Sequence, residues 1–162
     1  MAPLSTPGAA PVSTRNQNVP GLVTFANGIV SRLARLGLPL GPNVMLTVRG
    51  RKSGVPHSTP VAIIEVTGRR WVQSPFGEVQ WTRNLRAAGE ATLSKGGRIE
   101  HVTATRLSED EAATFYRDVL GPNLKRSPFS LLIGRILGLT KLVADPEAAA
   151  ATHAVFELHA RT

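Results

Sequence analysis

Cysteine is absent from the 162 residues, which excludes disulfides, thiolate metal sites, iron–sulfur clusters and cysteine nucleophiles. Aromatic residues make up only 5% of the chain, with a single tyrosine. That is too few for the interleaved basic and aromatic strands on which single-stranded nucleic acid stacks. A basic nucleic-acid-binding barrel is therefore the weakest of the classes the charge allows, and no nucleic-acid partner is expected. Acidic residues are missing from the first part of the chain: none precedes Glu65, although Arg15, Arg32, Arg35, Arg49, Arg51 and Lys52 do. Long apolar runs are missing too, since the densest, residues 129–139, is interrupted by Arg135 and falls short of the ~20 residues of a membrane span. Residues 1–20 show neither a basic leader nor an apolar run of secretory length, so the expected location is cytoplasmic. The apolar stretches leave room for peripheral contact with a membrane surface.

What is present is a foldable core. Hydrophobic residues form 42% of the chain and charged residues 19%, a balance that buries itself rather than staying solvated. The net charge of +8 points to phosphates, anionic lipids or other acidic ligands.

Residues 1–18 are rich in Ala, Pro, Ser and Thr without periodicity and read as a flexible tail. Residues 19–162 read as one domain. Leu22, Phe25, Ala26, Ile29, Val30, Leu33 and Leu36 recur at helical spacing, predicting an amphipathic helix over residues 22–36 that Gly37 and Pro39 end. The period then changes. Residues 44–48, 60–66, 70–73, 91–94, 98–107 and 154–159 read as strands, with Thr67-Gly68-Arg69 and Lys95-Gly96-Gly97 closing hairpins. Helices are predicted over residues 79–88 and 108–120, the second opened by the Ser108-x-x-Glu111 capping box and stopped by Gly121-Pro122. Residues 129–139 read as a core helix or one covering the acceptor pocket. Short antiparallel strands with helices between them indicate an α+β fold, a small barrel or curled sheet with peripheral helices.

Residues 47–60 read Thr-Val-Arg-Gly-Arg-Lys-Ser-Gly-Val-Pro-His-Ser-Thr-Pro, a tight loop between two strands. Glycines let backbone N–H groups approach an anion, Ser53 offers a hydroxyl, and Arg51 and Lys52 bring charge. The Walker spacing is absent. His57, His101, His153 and His159 show no ligand spacing, so no metal is expected. No Gly-x-Ser-x-Gly elbow accompanies a catalytic serine.

The pattern Gly50-Arg51-Lys52-Ser53-Gly54, then Pro56 and Thr59-Pro60, then Trp81-x-x-Asn84-Leu85-x-x-x-Gly89 resembles the deazaflavin-dependent nitroreductase family. Its members are split β-barrel oxidoreductases that use coenzyme F420. The resemblance runs from about Gly28 to Leu120. It implies that Arg51, Lys52, Ser53 and Gly54 hold the cofactor phosphate, with His57 meeting the phosphate or the acidic tail. It also implies that Thr59 and Pro60 lie beside the deazaflavin ring, that Ser74 borders ring and substrate, and that Trp81 and Asn84 belong to a helix covering the cofactor. Arg83 and Arg86 read either as tail-binding cations or as a solvated face. Flavin mononucleotide is the alternative cofactor, and a non-catalytic carrier of either the alternative function. The implied reaction is hydride transfer from reduced F420 to an electrophilic, apolar small molecule such as a quinone, enone or nitro compound. Relatives place several tyrosines near the substrate, whereas this chain has only Tyr116. Ser74 and Tyr116 are the weak catalytic candidates, and either a monomer or a homodimer is compatible with the sequence.

Overall fold

A computed structural model describes residues 44–161. The expected tail over residues 1–18 and the expected helix over residues 22–36 lie outside them.

Seven strands form one antiparallel sheet: β1 Val44–Arg49, β2 Pro56–Val61, β3 Ile63–Val66, β4 Arg69–Gln73, β5 Glu90–Lys95, β6 Arg98–Arg106 and β7 Val155–Ala160. The order across the sheet is β2-β1-β5-β6-β7-β4-β3. Its two edge strands, β2 and β3, are consecutive in the chain and joined by Ala62 alone. One residue cannot span an open seven-stranded sheet, since strands lie about 4.8 Å apart, so the sheet curls until its edges meet. This is the split β-barrel.

The strand expected over residues 60–66 is thus two strands with a break at Ala62, and the first begins earlier, at Pro56. Pro56 and Pro60 are tolerated because, among the described residues, β2 pairs only with β1, leaving one side of the strand with no ladder bond to make there. The turns behave as their glycines predict. Gly96 and Gly97 both take positive φ, 56° and 79°, the twist that matches a tight hairpin to right-handed strands.

Side chains alternate between two cores. On β4, Trp71 joins the cluster under the helices while Val72 enters the barrel; on β7, Val155 and Phe156 divide the same way. This is strand periodicity with both faces covered. The barrel core holds Leu46, Val48, Val72, Leu85, Leu93, Val102, Phe156 and Leu158, each large side chain stabilising by about 1.5–3 kcal/mol when fully buried.

Helix α1, Gln80–Ala88, lies against β1 and adds Leu85 to the barrel core. Five short helical segments form the outer layer: α2 Glu109–Thr114, a π-helical turn Phe115–Leu120, α3 Gly121–Lys125, α4 Pro128–Ile136 and α5 Leu139–Ala144, followed by α6 Pro146–Thr152. The Ser108 capping box forms as expected, with Glu111 N donating to Ser108 Oγ and Ser108 N to Glu111 Oε2. Gly121-Pro122 does not stop the helix. Gly121 keeps a right-handed helical conformation and Pro122 falls in the first turn of α3, where its missing N–H costs little. Gly121 serves packing instead, because a Cβ there would come within 3.1 Å of Val143. The stretch over residues 129–139 is not a core helix throughout, since Phe129, Leu132 and Ile136 are exposed. No helix among the described residues is long and apolar enough to cross a membrane.

Candidate functional site

The loop between β1 and β2 is built by its own backbone. Gly50 N donates to Val55 O at 2.9 Å and Gly54 N to Gly50 O at 2.8 Å, with Gly54 at φ 70°, a conformation that favours glycine. A side chain at position 50 would displace two of the loop's own side chains. A Cβ there would sit 2.8 Å from Ser53 Oγ and 2.9 Å from His57 Nε2, so the missing side chain lets the Ser53 hydroxyl and the His57 imidazole close on one point. Ser53 Oγ accepts from Val55 N at 3.2 Å, which leaves its proton free to donate to a ligand.

Arg51 is anchored across the fold. Its backbone N donates to Asn84 Oδ1 at 3.3 Å, and Nη1 donates to Asn84 Oδ1 at 2.9 Å and to Gln80 Oε1 at 2.8 Å. Gln80 and Asn84 are four residues apart on α1, hence on one helical face. Asn84 is buried, at 6% exposure, and the main chain of α1 fixes where its amide sits. Both acceptors are neutral, so the guanidinium is held in place without being neutralised. Lys52 is exposed and has no ion-pair partner among the described residues. The start of α1 is secured by Thr82, 1% exposed, whose hydroxyl accepts from Val79 N and donates to Val79 O.

The structure therefore brings Arg51, Ser53, Gly54, His57 and Asn84 together, with Lys52 on the same loop. Thr59 and Pro60 follow along β2, half-buried opposite Leu46 and Met45. Trp81 is half-buried and packs on the barrel core. Ser74 is buried at 2%, its Oγ accepting from Phe76 N within its own turn. Tyr116 is not at the loop. It is fully buried in the helical cluster beside Phe115, its hydroxyl without a partner among the described residues, and burial pushes the phenol's pKa up. Arg83 and Arg86 are neither free cations nor a merely solvated face, because Glu78 pairs with both. Gln80 was not singled out by the sequence; its helical spacing from Asn84 is the signal that marks it.

A cavity of about 350 Å³ lies elsewhere, between β4 and α2, lined by Arg69, Trp71, Asp110, Glu111 and Phe115 among others. Its charges are largely spent internally: Arg69 makes a two-pronged bond to Glu157 at 2.7 and 2.8 Å, and Glu111 caps α2 through Ser108. Uncompensated cation sits at the loop, which makes the loop the candidate site. Among the described residues no cluster of His, Asp and Glu could hold a metal.

No curated protein matches the chain. Among solved structures, a 5-nitroimidazole antibiotic resistance protein of Bacteroides thetaiotaomicron, so described provisionally, superposes with a TM-score of 0.51 at 10% identity, over 82% of this chain and 80% of that one. The F420-H2 dependent reductase FDR-A gives 0.45 at 19% identity, over 74% and 95%. A protein of Listeria innocua described as a pyridoxamine 5'-phosphate oxidase gives 0.46 at 11%, over 85% and 94%. These likenesses concern the fold. The family is shown by sequence: residues 25–125 match the model of the F420H(2)-dependent quinone reductases, and the chain belongs to that family.

Proposed function

We propose that this F420H2-dependent oxidoreductase anchors the phosphate of its deazaflavin at the loop of residues 50–55 and presents an apolar electrophile, a quinone in the first instance, to the ring. The observation that carries the reading is the pairing of Arg51 with two neutral amide oxygens. A guanidinium so held is oriented in advance and keeps its charge for an anion. The residues present fit a phosphate: Arg51 and Lys52 offer charge, Ser53 a free hydroxyl proton, and Gly50 a surface with no Cβ to obstruct approach.

When bound, the reduced deazaflavin supplies the hydride. The chain's own part is placement. Arg51, fixed by Gln80 and Asn84, and Lys52 would hold the phosphate end, with His57 meeting the same phosphate or the acidic tail. Thr59 and Pro60 would border the ring, because β2 is an edge strand whose outer side is not spent on a ladder. Ser74 and Trp81 would flank the acceptor space. Holding donor and acceptor carbons in near contact supplies rate through orientation. The chain's one tyrosine is fully buried, so proton delivery in this reading does not pass through a tyrosine.

The test is a fluorescence titration of the purified chain with oxidised coenzyme F420 and, in parallel, flavin mononucleotide, against Lys52→Ala. Lys52 is exposed, so the variant folds. The reading predicts F420 binding weakened roughly tenfold by the substitution, the worth of one charged contact. Unchanged F420 affinity in the variant, or tighter binding of flavin mononucleotide than of F420, would contradict it.

A further inference from the structure

Helix α4 leaves more of its apolar surface uncovered than a surface helix ordinarily does. Phe129, Leu132 and Ile136 are 47%, 53% and 46% exposed, and their spacing of three and four residues puts them on one face. The opposite side carries the buried Gly134, packed so closely on Leu124 that a Cβ would meet its Cδ2 at 2.9 Å. An ordinary surface helix buries its large apolar residues and shows its polar ones. Here the small residue is buried, Leu131 and Ile133 are half-buried, and three large apolar residues remain exposed on one face.

The charge around this face has one sign. Residues 119–144 contain no Asp or Glu but contain Lys125, Arg126, Arg135 and Lys141. All four are exposed, and none belongs to an ion pair among the described residues. Elsewhere Arg69, Arg70, Arg83, Arg86, Arg117 and Arg161 are each matched by a glutamate. Arg49, Arg51, Lys52, Lys95, Arg98 and Arg106 are likewise exposed without an ion pair among the described residues, but residues 119–144 set four such cations beside three exposed apolar side chains with no acidic residue in the segment.

We infer that this face docks the protein on the surface of an anionic bilayer. Phe129, Leu132 and Ile136 enter the boundary between headgroups and acyl chains, and the surrounding cations meet lipid phosphates. A second copy of the chain fits less well, because pairing like faces would set four cations against four. Nucleic acid would use the cations and leave the apolar residues in water. With three apolar anchors the contact is reversible, as short interfacial helices are. The inference does not depend on which cofactor the loop holds.

Flotation of the full chain with phospholipid vesicles tests it, comparing phosphatidylcholine alone with a mixture in which about half the lipid is phosphatidylglycerol. The expected result is flotation with the anionic vesicles only, reversed by high salt. Replacing Phe129, Leu132 and Ile136 together by Gln is expected to lower the partition coefficient at least roughly tenfold, with cooperative thermal unfolding retained because about half of each side chain is already exposed. A second variant, R135E/K141E, is expected to weaken binding while keeping the apolar face. Equal binding to neutral vesicles, undiminished flotation of the triple Gln variant, or a wild-type dimer that the triple variant dissociates would overturn the assignment, the last by giving the face to a second copy.

Discussion

The β1–β2 loop and the helical layer treat their polar groups in opposite ways. Arg51 is exposed, yet two amide oxygens from α1 hold it; Tyr116 is completely buried, and no group among the described residues holds its hydroxyl. A group held at the surface by neutral partners keeps its charge and pays little entropy when a ligand arrives. An acid buried without a partner, as the Tyr116 phenol is among the described residues, has a raised pKa and stays neutral. The proposed function rests on the first arrangement, and the second is packing.

Substitutions sharpen that contrast, beginning with the largest effect. Arg51→Ala removes the oriented cation and leaves the buried Asn84 oxygen short of a donor, so F420 affinity should fall roughly tenfold to a hundredfold. Isothermal titration calorimetry reads this directly. A smaller effect concerns acid stability. Bidentate bonds from Arg70 to Glu100 and from Arg69 to Glu157 hold both carboxyls below their ordinary values. A lowered carboxylate pKa contributes stability that is fully present above the unfolded value, about 4.3, and is lost as pH falls through the lower folded value. In the double variant Glu100→Gln, Glu157→Gln the drop in Tm between neutral pH and about pH 3 should shrink by about 1–3 °C, since these pairs are partly exposed. Scanning calorimetry at both pH values measures it. The smallest effect is at Tyr116. Tyr116→Phe removes a hydroxyl with no partner among the described residues, so stability should stay within about 1 kcal/mol of wild type, if anything rising. Turnover should be unchanged in a steady-state acceptor assay.

Legibility in the sequence divided along the same boundary. The barrel was readable because strands announce themselves locally: β-branched alternation marked β1, β4, β5 and β6, and the Gly96-Gly97 pair marked its hairpin. The loop was readable as a chemical type, two cations with glycines and a serine. What held its arginine was not, because the Gln80 and Asn84 contact spans 29 and 33 residues, and no local pattern records a contact of that range. β2 was half missed since an edge strand needs no apolar alternation, and His57, Ser58 and Thr59 are all only half-buried. In the helical layer local rules misled. Gly121-Pro122 reads as a stop but sits inside a continuous helical path, its glycine chosen for Val143. Helix α6 went unread although Asp145-Pro146 is an N-terminal signal, with Asp145 Oδ1 accepting from Ala148 N. The orientation of α4 could not be read from composition, since apolar density says nothing of which way a helix faces.

The central claim is that Arg51 serves an anion because its partners are neutral, and Asn84→Asp tests it most directly. The substitution keeps the size of the side chain and an oxygen facing Arg51, but turns a neutral clamp into an ion pair. The account predicts a folded protein with unchanged barrel stability whose affinity for oxidised coenzyme F420, measured by fluorescence titration, falls roughly tenfold as the cation is neutralised in place. An Asn84→Asp protein that folds and binds F420 as tightly as wild type would contradict it.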